Sequence, residues 1–287
     1  MSVQPSPMAN RVAFKKIPRA AKGTSGLPRI LLWVLFALFV IQFALVLVRL
    51  WMPSFLFGDS RWPDGMLVIL AGSTLVASLS RQLPSQNVML AGIIIAFFSG
   101  AVETVGALTG VPFGPFIYTD NIGPQLFYPL PWAIPVVWII AILSSRGVAR
   151  IMLRPWRKTR AYGYWLMSVT AALVVLLDLG LEPFATRVKR YWLWNPTKLG
   201  LDWYGAPLVN FLGWAVTVLL ILAFVTPSLI NKKPVKQPAD YYPLVVWLLL
   251  NVAFAAGAVV TGLWTAVIVI SAGCLIATVF AVRGARW

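Results

Sequence analysis

Apolar stretches close to the length of a bilayer-crossing helix follow one another along almost the whole chain. About twenty apolar residues in α-helix span the hydrocarbon core. Stretches at 30–50, 65–80, 88–108, 132–148, 163–181, 207–226, 242–260 and 263–282 reach or approach that length. No water in the core can bond a free N–H or C=O, so a crossing segment must close its hydrogen bonds within itself. The expected fold is therefore all-α, a polytopic membrane helix bundle of eight spans. The second stretch is short and a tight turn joins the last two, which leaves seven as the other count. With 60% hydrophobic residues in 287, the composition excludes an ordinary soluble domain.

The charge then gives an orientation. The net charge is +16, from 24 Lys and Arg against 8 Asp and Glu. With the N-terminus inside, one side collects Arg11, Lys15, Lys16, Arg19, Lys22, Arg29 and Arg81. The block from Arg146 to Arg160, Lys232, Lys233, Lys236, Arg283 and Arg286 join them. The other side keeps Arg49, Arg61, Arg187, Lys189, Arg190 and Lys198. Cytoplasmic loops carry the excess of basic residues, so both termini are expected in the cytoplasm. The charge reads as orientation and contact with the lipid bilayer, not as a nucleic-acid surface. Residues 1–26 are basic and rich in Pro, Ser and Gly, and a disordered cytoplasmic tail is expected there. Residues 27–287 form one integral-membrane domain, its first span an uncleaved anchor. The single cysteine, Cys274, excludes an internal disulfide and reads as a packing residue.

Three carboxylates interrupt this apolar pattern: Glu103, Asp178 and Glu182. A charge at the centre of a spanning helix costs about 2.5–3.5 kcal/mol on insertion scales, so it marks a pathway, a partner or a reaction. Asp178 and Glu182 sit at i and i+4 on one helical face, just before Pro183. Two like charges there repel and favour a shared proton, an acid–base couple in the making. The next span starts at Pro207 and carries Asn210 and Trp214 with the same spacing. With the N-terminus inside, all five side chains fall at one depth near the outer face. Gly100, Gly106 and Gly110 flank Glu103, so close helix packing, with Glu103 paired to Arg187 or Arg190, is the plain structural alternative. The loops 109–131 and 184–206 lie over that depth and are dense in Pro, Gly and aromatics. They either roof a cavity or form an aromatic belt at the headgroups.

The chain has no histidine. That removes histidine zinc and iron sites and the serine–histidine triad. No phosphate-cradling glycine loop and no paired DDxxD is present. What remains is a proton donor, a carboxylate to orient water, and aromatic faces that stabilise a cation. Those suit acid-catalysed addition of water to an electron-rich alkene.

The runs ETVGALTGVPFGPFIYT, PWAIPVVW, DLGLEPFA, YWLWN and WYGAPLVNFLGW resemble the carotenoid-biosynthesis membrane protein family over a core at 103–214. That family includes the carotenoid hydratases, also called carotenoid 1'-hydroxylases, and bisanhydrobacterioruberin hydratases. Phe116 stands where the family has tyrosine, and Glu182 where it more often has aspartate. The resemblance implies hydration of the terminal C1,C2 double bond of an acyclic carotenoid, lycopene- or γ-carotene-like, to a tertiary alcohol. Asp178 or Glu182 would give the proton, and Glu103 or the second acid would orient water. Asn210 would hold the water or the carboxylate. Trp192, Trp194, Trp203, Tyr204, Trp214, Phe113 and Tyr118 would line the substrate site. It implies no cofactor, a multi-pass place in the inner (cytoplasmic) membrane, and other carotenoid-pathway enzymes as partners. Two other classes stand beside it: a non-catalytic carotenoid-binding subunit of a pigment–protein complex, and a proton-coupled transporter.

Overall fold

Each apolar stretch becomes one helix, and proline or glycine sets most of the ends. The protein is described here by a computed structural model covering residues 27–58, 60–196, 200–230 and 238–287. The expected tail 1–26, Lys198 and Lys232 to Lys236 lie outside the described residues. Eight helices are long and apolar enough to cross a membrane: α1 Leu27–Trp51, α2 Trp62–Ser80, α3 Ser85–Thr109 and α4 Ala133–Met152. They continue with α5 Tyr162–Pro183, α6 Leu208–Val225, α7 Tyr242–Val260 and α8 Trp264–Ala285. Proline opens α2 and α7 in their first turns, where its missing N–H costs nothing. Gly110 closes α3 with φ 77°, a left-handed turn that a side chain disfavours. The regular turns of α5 end at Pro183, whose ring and missing N–H disrupt the α-helical ladder. The chain widens into a π-helical turn, Phe184–Val188, closed by Lys189 N–H on the Phe184 carbonyl at 2.9 Å.

The bundle is built round α4, which packs against α2, α3, α5, α7 and α8 and is buried along most of its length. At the periphery, α1 and α8 turn Trp33, Ile41, Ile268 and Leu275 outward, as a lipid-facing surface requires. At the end of the bundle away from the carboxylates, Asp240 accepts hydrogen bonds from Ser78 and Gln82, and Arg150 donates to Gln82. That clamp joins α2, α4 and the entry to α7.

The two aromatic loops pair with each other over the opposite end. Strand β1 (Phe116–Tyr118) runs antiparallel to β4 (Trp192–Trp194), with Phe116 facing Trp194 and Tyr118 facing Trp192. Alternation along a strand sends these four aromatics inward and Ile117 and Leu193 outward. Hairpins β2 (Gln125–Phe127) with β3 (Leu130–Pro131), and β5 (Asp202–Trp203) with β6 (Ala206–Pro207), complete the cap. These strands of two or three residues leave the molecule an all-α bundle under a small β roof.

Small residues set the approach of α3 to α6. A Cβ on Gly106 would stand 2.7 Å from the Phe113 ring, and one on Gly213 2.8 Å from its other edge. The ring is thus clamped between two glycine faces. Gly213→Ala should destabilise the fold by about 1–3 kcal/mol through overpacking, read as an earlier thermal unfolding transition in detergent.

Candidate active site

Glu103, one and a half turns before the end of α3, is buried beneath the roof. Its Oε1 accepts from Trp138 Nε1 at 2.7 Å and its Oε2 from Tyr118 Oη at 2.7 Å. Trp138 comes from α4 and Tyr118 from β1, so one carboxyl joins three elements. Neither Arg187 nor Arg190 pairs with it; Arg187 donates to the Tyr204 carbonyl and the Arg190 carbonyl accepts from Thr119 and Asn121.

On α5, Glu182 is satisfied more fully. Oε2 accepts from Trp192 Nε1 at 3.1 Å and Trp194 Nε1 at 2.8 Å, and Oε1 accepts from Asn210 Nδ2 at 3.1 Å. The same amide donates to Asp178 Oδ2 at 2.9 Å. Asn210 thereby bridges the two acids expected to share a helical face. Asp178 Oδ1 is buried and has no hydrogen-bond partner. Every donor to these carboxyls is an indole, a phenol or an amide. Among the described residues the one ion pair is Lys189–Asp64 at 2.9 Å, in the roof, and no cluster of three or more His, Cys, Asp or Glu is placed to hold a metal.

Two cavities meet here. The smaller, about 30 Å³, is lined by Glu103, Tyr118, Glu182 and Asn210 among aromatics including Phe113, Trp194 and Trp214. It has room for roughly one or two waters with polar partners. The larger, about 460 Å³, is almost wholly apolar and reaches from Asn121 and Gly123 in the roof to Ala141 and Leu250 deeper in the bundle. Asp178 lies in its wall. Trp192 and Trp214 line both cavities and form part of the partition. Trp62, Met66 and Ile69, on α2, line the larger cavity and are also partly exposed at the surface of the bundle.

Of the residues singled out in the sequence, Glu103, Asp178, Glu182, Asn210, Trp192, Trp194, Trp214, Phe113 and Tyr118 converge on these cavities. Trp203 and Tyr204 lie outside both linings. Trp203 donates to the Leu179 carbonyl at 2.9 Å and the Tyr204 hydroxyl accepts from Ala266 N–H at 3.2 Å, so they fasten the β5–β6 hairpin to α5 and α8. Trp138 was missed. It sits on the most buried helix, where an indole reads as core; the only clue was a buried N–H that needs an acceptor. Asp64, which lines the larger cavity and accepts from Lys189 and Tyr191, gave no signal at the start of a weak span.

Comparison with known proteins gives a family and one partial relative. The model of the carotenoid biosynthesis protein family matches residues 64–279. Bisanhydrobacterioruberin hydratase of Haloarcula japonica is 31% identical over 128 residues, which is 45% of this chain and 41% of that protein. The chain thus spans about two fifths of the length of the curated relative it matches. No solved structure matches.

Two phenols in the roof report on the site's electrostatics. Burial pushes Tyr118 well above the ordinary phenol value, and the neighbouring Glu103 and Glu182 charges add to it. Tyr191 is raised in the same way by burial and by Asp64. A folded-state value above the unfolded one contributes stability below pH of about 10 and loses it as pH rises further. Absorbance titration should therefore show two phenols that stay protonated past the ordinary tyrosine range, each disappearing from the delayed fraction in Tyr118→Phe or Tyr191→Phe. Asn210→Leu, which leaves two buried carboxyls short of a donor, should lower stability by about 1–3 kcal/mol in denaturant unfolding.

Proposed function

The chain belongs to the carotenoid biosynthesis protein family, and from that premise we propose that it adds water across the terminal C1,C2 double bond of an acyclic carotenoid. One observation carries the proposal. Asp178, with an unpartnered oxygen, stands in the wall of a large apolar cavity next to a small one into which Glu103, Glu182 and Asn210 face.

The hydrogen bonding supports distinct roles for the acids. Both oxygens of Glu182 and of Glu103 accept from donors, which fits ionised carboxylates. Asp178 Oδ1 accepts nothing, which fits the oxygen that carries a proton. Asp178 protonates the less substituted alkene carbon, using the π electrons for the new C–H bond. The tertiary cation forms on the carbon bearing two methyl groups. Water in the small cavity, held by Glu182 and Asn210, attacks that carbon through a lone pair and gives its extra proton to Glu182. The product is the tertiary alcohol, and no net proton is consumed. Return of a proton from Glu182 to Asp178, neighbours on one amide, resets the pair.

The surroundings favour the charged stage. Anionic groups without basic partners, in a site of low permittivity, are complementary to a developing cation. The indoles of Trp192 and Trp214 line both cavities, beside the point where alkene and water would meet, and each can add about 0.5–2 kcal/mol of cation–π stabilisation. Entry is sideways from the bilayer past Trp62, Met66 and Ile69. Both termini face the cytoplasm in this scheme, and the site faces the outer leaflet of the inner membrane.

Asp178→Asn and Glu182→Gln should each lower hydration of lycopene by about 10²–10⁴-fold, the usual worth of a positioned acid or base. Full activity in both would sink the scheme. Mass spectrometry should find the product oxygen labelled from H2¹⁸O and not from ¹⁸O2. Carotenoid retained stoichiometrically, with no alcohol formed by the native chain, would favour the binding-subunit alternative.

A further inference from the structure

Glu103 is the acid that the hydration scheme does not use. It lines the small cavity, yet each of its oxygens already holds a short bond, one to Tyr118 and one to Trp138. Trp138 is fully buried, and its ring lies flat on Trp214, with centroids 3.9 Å apart and planes 11° from parallel. Trp138 lines only the small cavity, whereas Trp214 lines both. A chain of contacts therefore runs from carboxylate to indole N–H, to stacked indole, to the wall of the apolar cavity.

Resting on the hydration chemistry above, we propose that Glu103 is a positioning residue that acts through Trp138, fixing and polarising the Trp138–Trp214 stack whose outer ring stabilises the carbocation. An indole donating to a carboxylate is richer in electrons than a free one, and hydrogen-bonded chains polarise one another. Stacking then presents that density through Trp214, where a cation is attracted to the ring face. Tyr118 holds the other oxygen, so the carboxylate cannot swing away from Trp138.

The choice of Trp214 over Trp192 follows from charge through the reaction. Trp192 donates to Glu182, the group that takes up the water proton, so its partner's charge changes during turnover. The Glu103 charge stays constant. A face supported by a constant charge serves the cation from its formation to its capture. Its strength then sets a partition: capture by water gives the alcohol, while early loss of a proton gives back an alkene with its double bond in the original or a shifted position.

The test is a double-mutant cycle on the full chain in detergent, with lycopene as substrate, reading kcat, its pH profile and the ratio of alcohol to shifted alkene. Glu103→Gln keeps an acceptor for Trp138 but removes the charge; Trp138→Phe removes the link. Each should lower kcat roughly tenfold, the order expected of one buried charge acting across the stack, and raise the alkene share. Together they should be no worse than the stronger single change, and the limbs of the pH profile should stay in place. Additive losses would overturn the proposal. So would a shifted pH limb or complete loss of hydration in Glu103→Gln, either of which makes Glu103 the base. Should Trp138→Phe fail to fold, the cycle of Glu103→Gln with Trp214→Phe gives the same decision. A native chain that forms no alcohol defeats the hydration reading itself; a native chain that hydrates but shows additivity defeats only the role of Glu103.

Discussion

Carboxyl groups buried in an apolar bundle without a cation beside them are the condition round which this molecule is arranged. An isolated carboxylate in hydrocarbon is costly, and the common remedy is a Lys or Arg beside it. Here the remedy is neutral: two donors for Glu103, three for Glu182, and an amide shared between Glu182 and Asp178. The choice has a chemical consequence. A guanidinium would satisfy the carboxylates but would also cancel the field that the proposed carbocation would need. Indoles, phenol and amide satisfy them and leave the field in place.

That condition explains why the roof is aromatic and why it is stranded. An indole brings an N–H and a broad apolar face together, so it can bond a carboxylate and wall a hydrocarbon cavity at once. A two-residue period is what places Trp192 and Trp194 on one side of their strand, both aimed at Glu182, with Leu193 left outside. A helix at the same position would have separated the two rings by 200°. The π-helical turn after Pro183 brings the chain round to this strand. On the other flank, the bond from Tyr191 N–H to the Ala185 carbonyl at 2.7 Å ties the strand's start to that turn.

Two cavities of unlike size stand side by side, and the proposed reaction assigns them different tasks. The larger, apolar one has Asp178 in its wall and would take the hydrocarbon end; the small one, lined by Glu182 and Asn210, would hold the water. The same arrangement weighs against a proton-coupled transporter. The three acids gather at one end of the bundle, and the polar cluster at the other end, Ser78, Gln82, Asp240 and Arg150, is a helix clamp with its own partners.

Much of this was legible in the chain. Helix number and bounds follow from the length of each apolar run, since the bilayer enforces helix on any segment that crosses it. The spacing of Asp178 with Glu182, and of Asn210 with Trp214, put the acids and the amide at one depth, because helical period and antiparallel direction are both properties of sequence. Contacts between distant segments were beyond it. Nothing local says that Phe116–Tyr118 pairs with Trp192–Trp194, or that a tryptophan on the most buried helix bonds Glu103 and stacks on Trp214. Nor does composition separate Trp192 and Trp194, which bond Glu182, from Trp203 and Tyr204, which pin a hairpin. The sequence by itself determined that carboxylates would be buried near one membrane face without histidine to help them. The tertiary structure alone decided which acid keeps an oxygen free, because that depends on where donors from four other elements arrive in space.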